Sequence, residues 1–306
     1  MAKSMRPLYY DVYPGSIPDV KTLLNSLHML ERFGITSVIL VLDRGFYSMY
    51  NIRAMMKFRF IMPLPFKTNA AKEILRECMR LKSEDAGMHN GSLIYARSGD
   101  FTLDGIKLHF TYFYDPDREV SDKRRFFEKL GKVEQDLREI KDITRVDEVA
   151  GSYRKYLTIK PGLVVRRRNN AISRRLNRMG RMILIGNSSQ EWNDILDLYR
   201  SRDRVEKGFR DMKSDLEAIP MGTHTDETMQ GYLLVQFVAL IMESEMRRRM
   251  RVSGLSKRMG LHEMLLELSK LRVVRQDGSM FLTEVSKKQR EIFQGMGIRD
   301  ESIVIN

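Results

Sequence analysis

The first 63 residues alternate apolar runs with segments in which apolar residues recur every three or four positions. Short apolar runs predict strands, and the three-to-four spacing predicts helices. The predicted elements are strands at Leu8–Tyr13, Ser37–Leu42 and Phe58–Pro63, with helices at Val20–Phe33 and Tyr47–Lys57 between them. Regular alternation of strand and helix is typical of an α/β sheet.

The pattern changes between Leu64 and about Met179, where strand-like pieces separated by glycines surround a long charged segment with apolar residues at helical spacing. The predicted elements are strands at Leu93–Arg97, Phe101–Leu103 and Lys107–Tyr114, an exposed helix at Asp117–Ile143, strand-like sequence at Ser152–Val165 and a strand at Met182–Ile185. This change predicts an inserted, β-rich domain.

A polar edge is predicted on the helix that follows, formed by Tyr199, Arg202, Glu206 and Lys213. These positions share a sector about 60° wide on a helix that turns about 100° per residue. The neighbouring apolar stripe, which can pack on a sheet, consists of Leu198, Val205, Phe209, Met212 and Leu216. A carboxylate can hold a divalent metal while a phenol and two cations hold phosphate oxygens, so the edge suits phosphate chemistry. The alternative is a solvated face of ordinary ion pairs.

A second acidic residue, Asp43, ends the apolar run Ser37–Leu42, which has the composition of a central strand covered on both faces. Arg44 and Gly45 then turn the chain into a predicted helix. Open α/β sheets bind ligands at the carboxyl ends of their strands, so Asp43 is a candidate site residue that could meet Glu206 there. The alternative is that Asp43 only caps the following helix.

These two sites resemble the DDE-type transposases of bacterial and archaeal insertion sequences. The similarity is carried by the Asp-Arg-Gly-Phe turn at Asp43–Phe46 and by the Tyr-x2-Arg-x3-Glu-x6-Lys pattern at Tyr199–Lys213. Weaker similarity extends over most of the chain, including Pro7–Tyr10 with Pro14–Gly15, Gly231–Leu240 and Leu261–Asp277.

The resemblance implies an RNase H-like α/β catalytic core, incomplete at its N-terminal strands, with a β-rich, mixed domain inserted before the helix that carries the glutamate. The implied division is residues 1–63 for the first part of the core, 64–180 for the insertion with its long charged helix, 181–252 for the second part of the core with the catalytic helix, and 253–306 for a C-terminal helical segment.

The resemblance also implies phosphoryl transfer on double-stranded DNA, at transposon ends and target, with Mg²⁺ or Mn²⁺ as cofactor. Asp43 and Glu206 would be the catalytic, metal-holding carboxylates. The residues implied to hold the DNA backbone near them are Arg44, Tyr199, Arg202 and Lys213. A homo-oligomer, or an intact transposase as partner, is the implied assembly.

One departure from the family concerns the first of its three carboxylates, which lies on a strand upstream of the segment that begins here at Pro7. Asp11 falls in the predicted first strand, and Asp19 is predicted to cap a helix after Pro18, so neither is a convincing substitute. We therefore expect a shortened or split reading frame with impaired activity.

The overall charge favours a polyanionic partner. Lys and Arg total 53 against 40 for Asp and Glu, which gives a formal net charge of +13 in 306 residues. No apolar stretch approaches the roughly 20 residues of a membrane-spanning helix, which leaves nucleic acid ahead of a membrane. The single Cys78 is typical of a reducing cytoplasm, and five scattered His residues give no zinc-ligand spacing.

The densest basic cluster contains Arg166, Arg167 and Arg168, followed by further arginines with interleaved asparagines. The cluster is a candidate DNA-backbone surface, and an ordinary solvated edge is an equally weighted alternative. By contrast, the arginines that close the predicted Gly231–Met250 helix are interpreted as complementing its dipole.

Three functional hypotheses follow. The first is a transposase polypeptide that is active only if the missing strand is supplied. The second is a catalytically inactive remnant that binds DNA or poisons oligomers of an intact transposase. The third is a basic DNA- or RNA-binding protein with no history of transposition.

Overall fold

The computed structural model describes residues 9–13, 19–35, 37–140, 142–160, 164–214, 225–276, 279–282 and 284–298. The chain divides into two compact units, Tyr13–Arg200 and Met1–Val12 with Ser201–Asn306.

The larger unit contains α-helices and strands in mixed order. They are α1 (Asp19–Arg32), β1 (Ile39–Val41), α2 (Met49–Met55), β2 (Arg59–Pro63), α3 (Asn69–Cys78), β3 (Ala86–His89), β4 (Ser92–Leu103), β5 (Ile106–Tyr114), α4 (Pro116–Glu139), α5 (Val146–Ala150), β6 (Leu157–Lys160), β7 (Val164–Arg167), α6 (Asn169–Leu176), β8 (Arg181–Gly186) and α7 (Trp192–Ser214), the last of which continues into the second unit.

Six of these strands form one sheet in the order β1-β2-β8-β5-β4-β3. β1 and β2 are parallel, whereas each of the other neighbouring pairs is antiparallel. The Asn90-Gly91 and Asp104-Gly105 turns join β3 to β4 and β4 to β5, and all four residues have positive φ angles of 50°, 83°, 50° and 77°. Turns of this sequence and backbone match the right-handed twist of antiparallel strands, which fixes the register of both hairpins.

The sheet is covered on both faces. Phe60 and Met62 of β2 belong to a core that also contains buried side chains of α1, α2 and α3. Ile61, which lies between them, belongs to a separate core with Ile195 and Leu196 of α7. Because successive side chains of a strand point to opposite faces, α1–α3 cover one face and α7 covers the other.

A third core lies outside the sheet. Its buried residues come from α4, α5, β6, α6 and the turn after α6, and they are Phe126, Leu130, Leu137, Ala150, Leu157, Ile172 and Met179. The antiparallel β6–β7 hairpin adds Ile159 and Val165, which pair with each other across the two strands and are partly buried against this core. The hairpin is therefore held by one apolar face.

The second unit is largely helical over its described residues. It contains α8 (Asp226–Val252), α9 (Leu261–Leu268), a hairpin of β9 (Val273–Gln276) and β10 (Ser279–Leu282), and α10 (Lys287–Met296). Met250, Met264 and Ile292 lie in its buried core. The Tyr10 ring lies 4.8 Å from that of Phe237 on α8. No helix in the described ranges is long and apolar enough to span a membrane.

The fold confirms the predicted mixed α/β class and most predicted elements within a few residues. The predicted strands Leu93–Arg97 and Phe101–Leu103 are instead one continuous strand, β4, which runs through Gly99. A Cβ at this glycine would lie 2.8 Å from the ring of its cross-strand neighbour Phe110. Gly99 thus allows close cross-strand packing and does not end the strand.

Three local predictions were wrong in whole or in part. Residues 9–13 are not in a strand, and Leu8 lies outside the described residues. The prediction for Ser152–Val165 holds for β6 and the start of β7, but its first residues form a 3₁₀ helix, Gly151–Tyr156. β1 is an edge strand of the described sheet, so its predicted central position is wrong, although its residues do pack with cores on both faces.

The sheet runs across the predicted domain boundaries, since β8 pairs with β2 on one side and with β5 on the other. Strands from the predicted first part of the core, the insertion and the second part therefore share one ladder. The division into core and insertion stays a prediction, because strand pairing does not reveal which segment was inserted into which.

Candidate active site

Asp43 lies two residues beyond β1, at its carboxyl end. The Leu42 N–H still donates to the Ile61 carbonyl at 3.0 Å, so the β1–β2 pairing extends to the residue before Asp43. The exposed Asp43 carboxylate accepts the Arg44 N–H at 2.6 Å and caps the 3₁₀ turn Arg44–Phe46. The capping role is thus confirmed, although the capped element is a short turn and not the longer helix.

The turn after Asp43 is braced by Asn51, a residue that the sequence analysis did not single out. Asn51 is fully buried, and its side-chain amide donates to the Phe46 carbonyl at 2.9 Å. Ser48 caps α2 by accepting the Asn51 N–H at 3.1 Å. A buried side-chain hydrogen bond is costly to break, so this arrangement fixes the turn that presents Asp43 and Arg44.

The strand alternation assigns Asp43 to the α7 face of the sheet. Leu40 and Leu42 pack with the α1–α3 core, whereas Ile39 packs with the α7 core. Asp43 keeps an extended backbone, with φ −82° and ψ 164°, so the period of two continues to it. It therefore falls on the same side as Ile39.

α7 is anchored to the sheet over its first nine residues. Trp192 packs so closely on Gly87 that a Cβ there would lie 2.6 Å from its ring. The Asp197 carboxylate lies 3.1 Å from His89 Nε2, and Arg200 donates to Asp115 at 3.3 Å. These contacts fix the helix as far as the first residue of the predicted polar edge, Tyr199.

The four residues of the predicted edge all lie on α7. Tyr199 is partly buried against the α7 core of the sheet, so its ring contributes to packing as well as to the edge. Arg202 is half-buried. The side chains of Glu206 and Lys213 lie outside the described part of the chain, and both residues belong to the second unit. Convergence of Asp43 and Glu206 therefore stays a prediction.

Of the two predicted metal ligands, only Asp43 has a described side chain. The described side chains contain no group of three His, Cys, Asp or Glu residues arranged as metal ligands. Asp43 itself fits a hard divalent cation, because it presents an exposed carboxylate at the end of a strand. Asp43 is thus compatible with Mg²⁺ or Mn²⁺, and it is one of the two predicted ligands.

The predicted basic residues lie at the end of the β6–β7 hairpin. Arg166, Arg167 and Arg168 are all exposed. Arg167 forms two 2.8 Å hydrogen bonds with the Glu134 carboxylate of α4, and its guanidinium lies 5.8 Å from the Phe127 ring. Arg167 is therefore part of the packing between the hairpin and α4, which the sequence pattern did not reveal.

Comparison with known protein families gives a match over most of the chain. A family model described as "Transposase DDE domain" matches residues 2–242. This range contains Asp43 and all of α7. No curated protein and no solved structure matches the chain.

Proposed function

This chain belongs to the family of transposase DDE domains, and we propose that it acts in metal-dependent cleavage and transfer of DNA strands, with Asp43 and Glu206 as the catalytic carboxylates. One observation carries this proposal. Asp43 stands at the carboxyl end of β1, on the sheet face against which α7 packs, and α7 carries the complete Tyr-Arg-Glu-Lys pattern.

Asp43 and Glu206 would each contribute a carboxylate oxygen to a divalent metal ion. Hard divalent cations prefer such oxygens as ligands. When bound, such metal activates the attacking hydroxyl and stabilises the leaving oxygen of an in-line displacement. The proposed reaction is hydrolysis at the element end, followed by attack of the freed 3′-hydroxyl on a phosphate of the target strand.

The proposed role of the surrounding residues is to hold the DNA backbone. Arg44 is exposed in the turn that Asp43 caps, one residue away from the carboxylate. Tyr199 and Arg202 precede Glu206 by seven and four residues on the same helix. Lys213 follows Glu206 by about 10 Å along the helix axis, at a rise of about 1.5 Å per residue, and would reach a phosphate of a neighbouring nucleotide.

The resemblance implies three carboxylates, and two are assigned in this sequence. Loss of a bridging carboxylate would impair two-metal catalysis, so low activity without a supplied third ligand is part of the proposal. An inactive DNA-binding protein that poisons oligomers of an intact transposase is the alternative. The excess of basic residues supports DNA binding in either case.

Nicking of supercoiled DNA with Mg²⁺ or Mn²⁺ separates the two. We expect Asp43→Asn and Glu206→Gln each to lower the nicking rate on the order of 10³-fold, as expected for lost metal-assisted charge stabilisation. Asp43→Asn should leave the fold intact, because the amide oxygen can still accept the Arg44 N–H.

Asp194→Asn is the matched control, since Asp194 is an exposed carboxylate on α7 outside the pattern. It should nick like the unmodified chain. Equal nicking by the unmodified chain and Glu206→Gln would eliminate the proposed site. DNA binding without any nicking would favour the inactive alternative.

A further inference from the structure

One segment of the chain carries most of its excess positive charge. Between Glu148 and Glu191 there are ten Lys and Arg residues and no Asp or Glu. This segment forms the 3₁₀ helix, the β6–β7 hairpin, α6 and β8. Cations are therefore concentrated along one stretch without compensating acids in the same stretch.

The structure divides these cations into two groups. Three contact carboxylates from other segments, namely Arg154 with Asp147, Arg167 with Glu134 and Arg181 with Glu119. The other seven are exposed and contact no carboxylate in the described parts of the chain. One of them, Arg178, lies over the Phe66 ring at 5.9 Å. The remaining six, which we name the basic surface, are Lys155, Lys160, Arg166, Arg168, Arg174 and Arg175.

Within the β6–β7 hairpin, cations of the two groups lie on opposite faces. Leu157 pairs with Arg167, and Ile159 pairs with Val165, so this face packs on the third core. Lys160 and Arg166 alternate with those residues and lie on the opposite face. Their diagonal positions on adjacent strands place them about 7–8 Å apart, within reach of one nucleic-acid backbone.

α6 extends the same surface. Its Ile172 is buried in the third core, and Arg174 lies about 200° further around the helix, on the outward side. The Arg168 N–H donates to the Tyr156 carbonyl at 2.8 Å, which fixes the step from the hairpin into α6. The outward cations are thus held on a rigid scaffold and not on a free tail.

We propose that the basic surface binds the backbone of double-stranded DNA at a place separate from Asp43, with Arg167 as a positioning residue that docks the hairpin on α4. The choice of duplex DNA rests on the proposed function. Arginine and lysine free of carboxylates match phosphate oxygens, and the interleaved side chains of Asn169, Asn170 and Asn177 add neutral donors.

An anionic membrane fits this surface less well. Membrane-surface segments insert large apolar side chains next to their cations. Between Gly151 and Arg178, the exposed large hydrophobic residue in the described ranges is Val164, at 45% exposure. The surface is therefore charged and polar, as expected for contact with phosphate.

The test is the salt dependence of binding to a short duplex by the full chain. Neutralising Lys160, Arg166, Arg168 and Arg174 together to Gln should flatten the slope of log Kd against log salt by about 3–4, at about 0.9 per phosphate contact. The matched control neutralises Lys67, Arg76, Arg80 and Lys107, four exposed cations outside the segment, and should leave the slope unchanged. An equal change in both variants would show a general charge effect and overturn the proposal.

Two further arms keep the test decisive. If the fourfold variant does not fold, as judged by circular dichroism, Arg166→Glu with Arg174→Glu takes its place and should also flatten the slope; an unchanged slope would overturn the proposal. Preferential binding of single-stranded RNA or of phosphatidylserine vesicles through the same residues would overturn the choice of DNA. Glu206→Gln should lose nicking but keep the salt slope of DNA binding, because the active site and the basic surface are different residues. The two proposals can therefore fail independently.

Discussion

The six-stranded sheet and the basic surface use cations in opposite ways. In the sheet, Arg97 of β4 is committed to the fold: it pairs with Asp85 and donates to the Glu77 and Arg80 carbonyls at 3.0 Å each. On the basic surface, Arg166 is exposed and contacts no described carboxylate. The comparison teaches that the sequence position of a cation does not reveal its role, whereas its partners do.

The largest effect should come from the sheet core. Ile183 of β8 is 1% exposed at the centre of the ladder, so Ile183→Ala should lower the free energy of unfolding by about 2–5 kcal/mol through lost burial and a cavity. Val164→Ala on the exposed hairpin face should change it by less than about 0.5 kcal/mol. Chemical denaturation checks both values, and equal losses would remove the contrast between the regions.

The next effect concerns Asp85 and its dependence on pH. The hydrogen bond from Arg97 lowers the pKa of Asp85 below its ordinary value of 3.8. A lowered pKa in the folded state adds stability that is present above pH 3.8 and is lost as the pH falls through the lowered value.

Asp85→Asn should therefore cost about 1.5–3 kcal/mol at neutral pH, the range for a hydrogen bond to a charged group. The difference from the unmodified chain should shrink in acid. Thermal unfolding from pH 7 to pH 2 measures it. A difference that is the same at every pH would show that the charge of Asp85 does not stabilise the fold.

A smaller effect is expected at Arg167, which docks the hairpin on α4. Its partner Glu134 is only 12% exposed, and the hydrogen bond from Arg167 lowers the pKa of that carboxyl. Arg167→Gln should cost about 1–2 kcal/mol, because Glu134 loses its charged partner. It should leave the salt slope of DNA binding unchanged, and Arg167→Lys should recover part of the stability because it restores the charge without the paired hydrogen bonds. A flattened slope with unchanged stability would instead place Arg167 in the DNA contact.

The smallest effect on stability should come from Arg166, the neighbour of Arg167 on the other face. Arg166→Gln should change the free energy of unfolding by less than about 0.5 kcal/mol. It should flatten the salt slope by about 0.9, the value for one phosphate contact. Titrations at several salt concentrations, with Lys67→Gln as the control, give the comparison. Opposite results at Arg166 and Arg167 would reverse the roles assigned to the two hairpin faces.

Much of the fold could be predicted from local pattern. Ser37–Leu42 contains β1, and Phe58–Pro63 contains β2, because these apolar runs have the length of a strand and are too short for a typical helix. The helix with the Tyr-Arg-Glu-Lys pattern was also predicted, as α7 confirms. The prediction of a strand at Leu8–Tyr13 was wrong over its described residues. Composition indicates strand propensity, but it does not supply the neighbouring strand that a strand must pair with.

The sequence by itself determined the transposase family, which the family model confirms over residues 2–242. It also determined the concentration of positive charge between Glu148 and Glu191. Only the tertiary structure decided that β8 joins β2 to β5, that Asn51 braces the turn after Asp43, and that Arg167 faces Glu134. The physical reason is that spacing fixes the direction of a side chain on its own element, whereas its partner is set by long-range packing of elements distant in sequence.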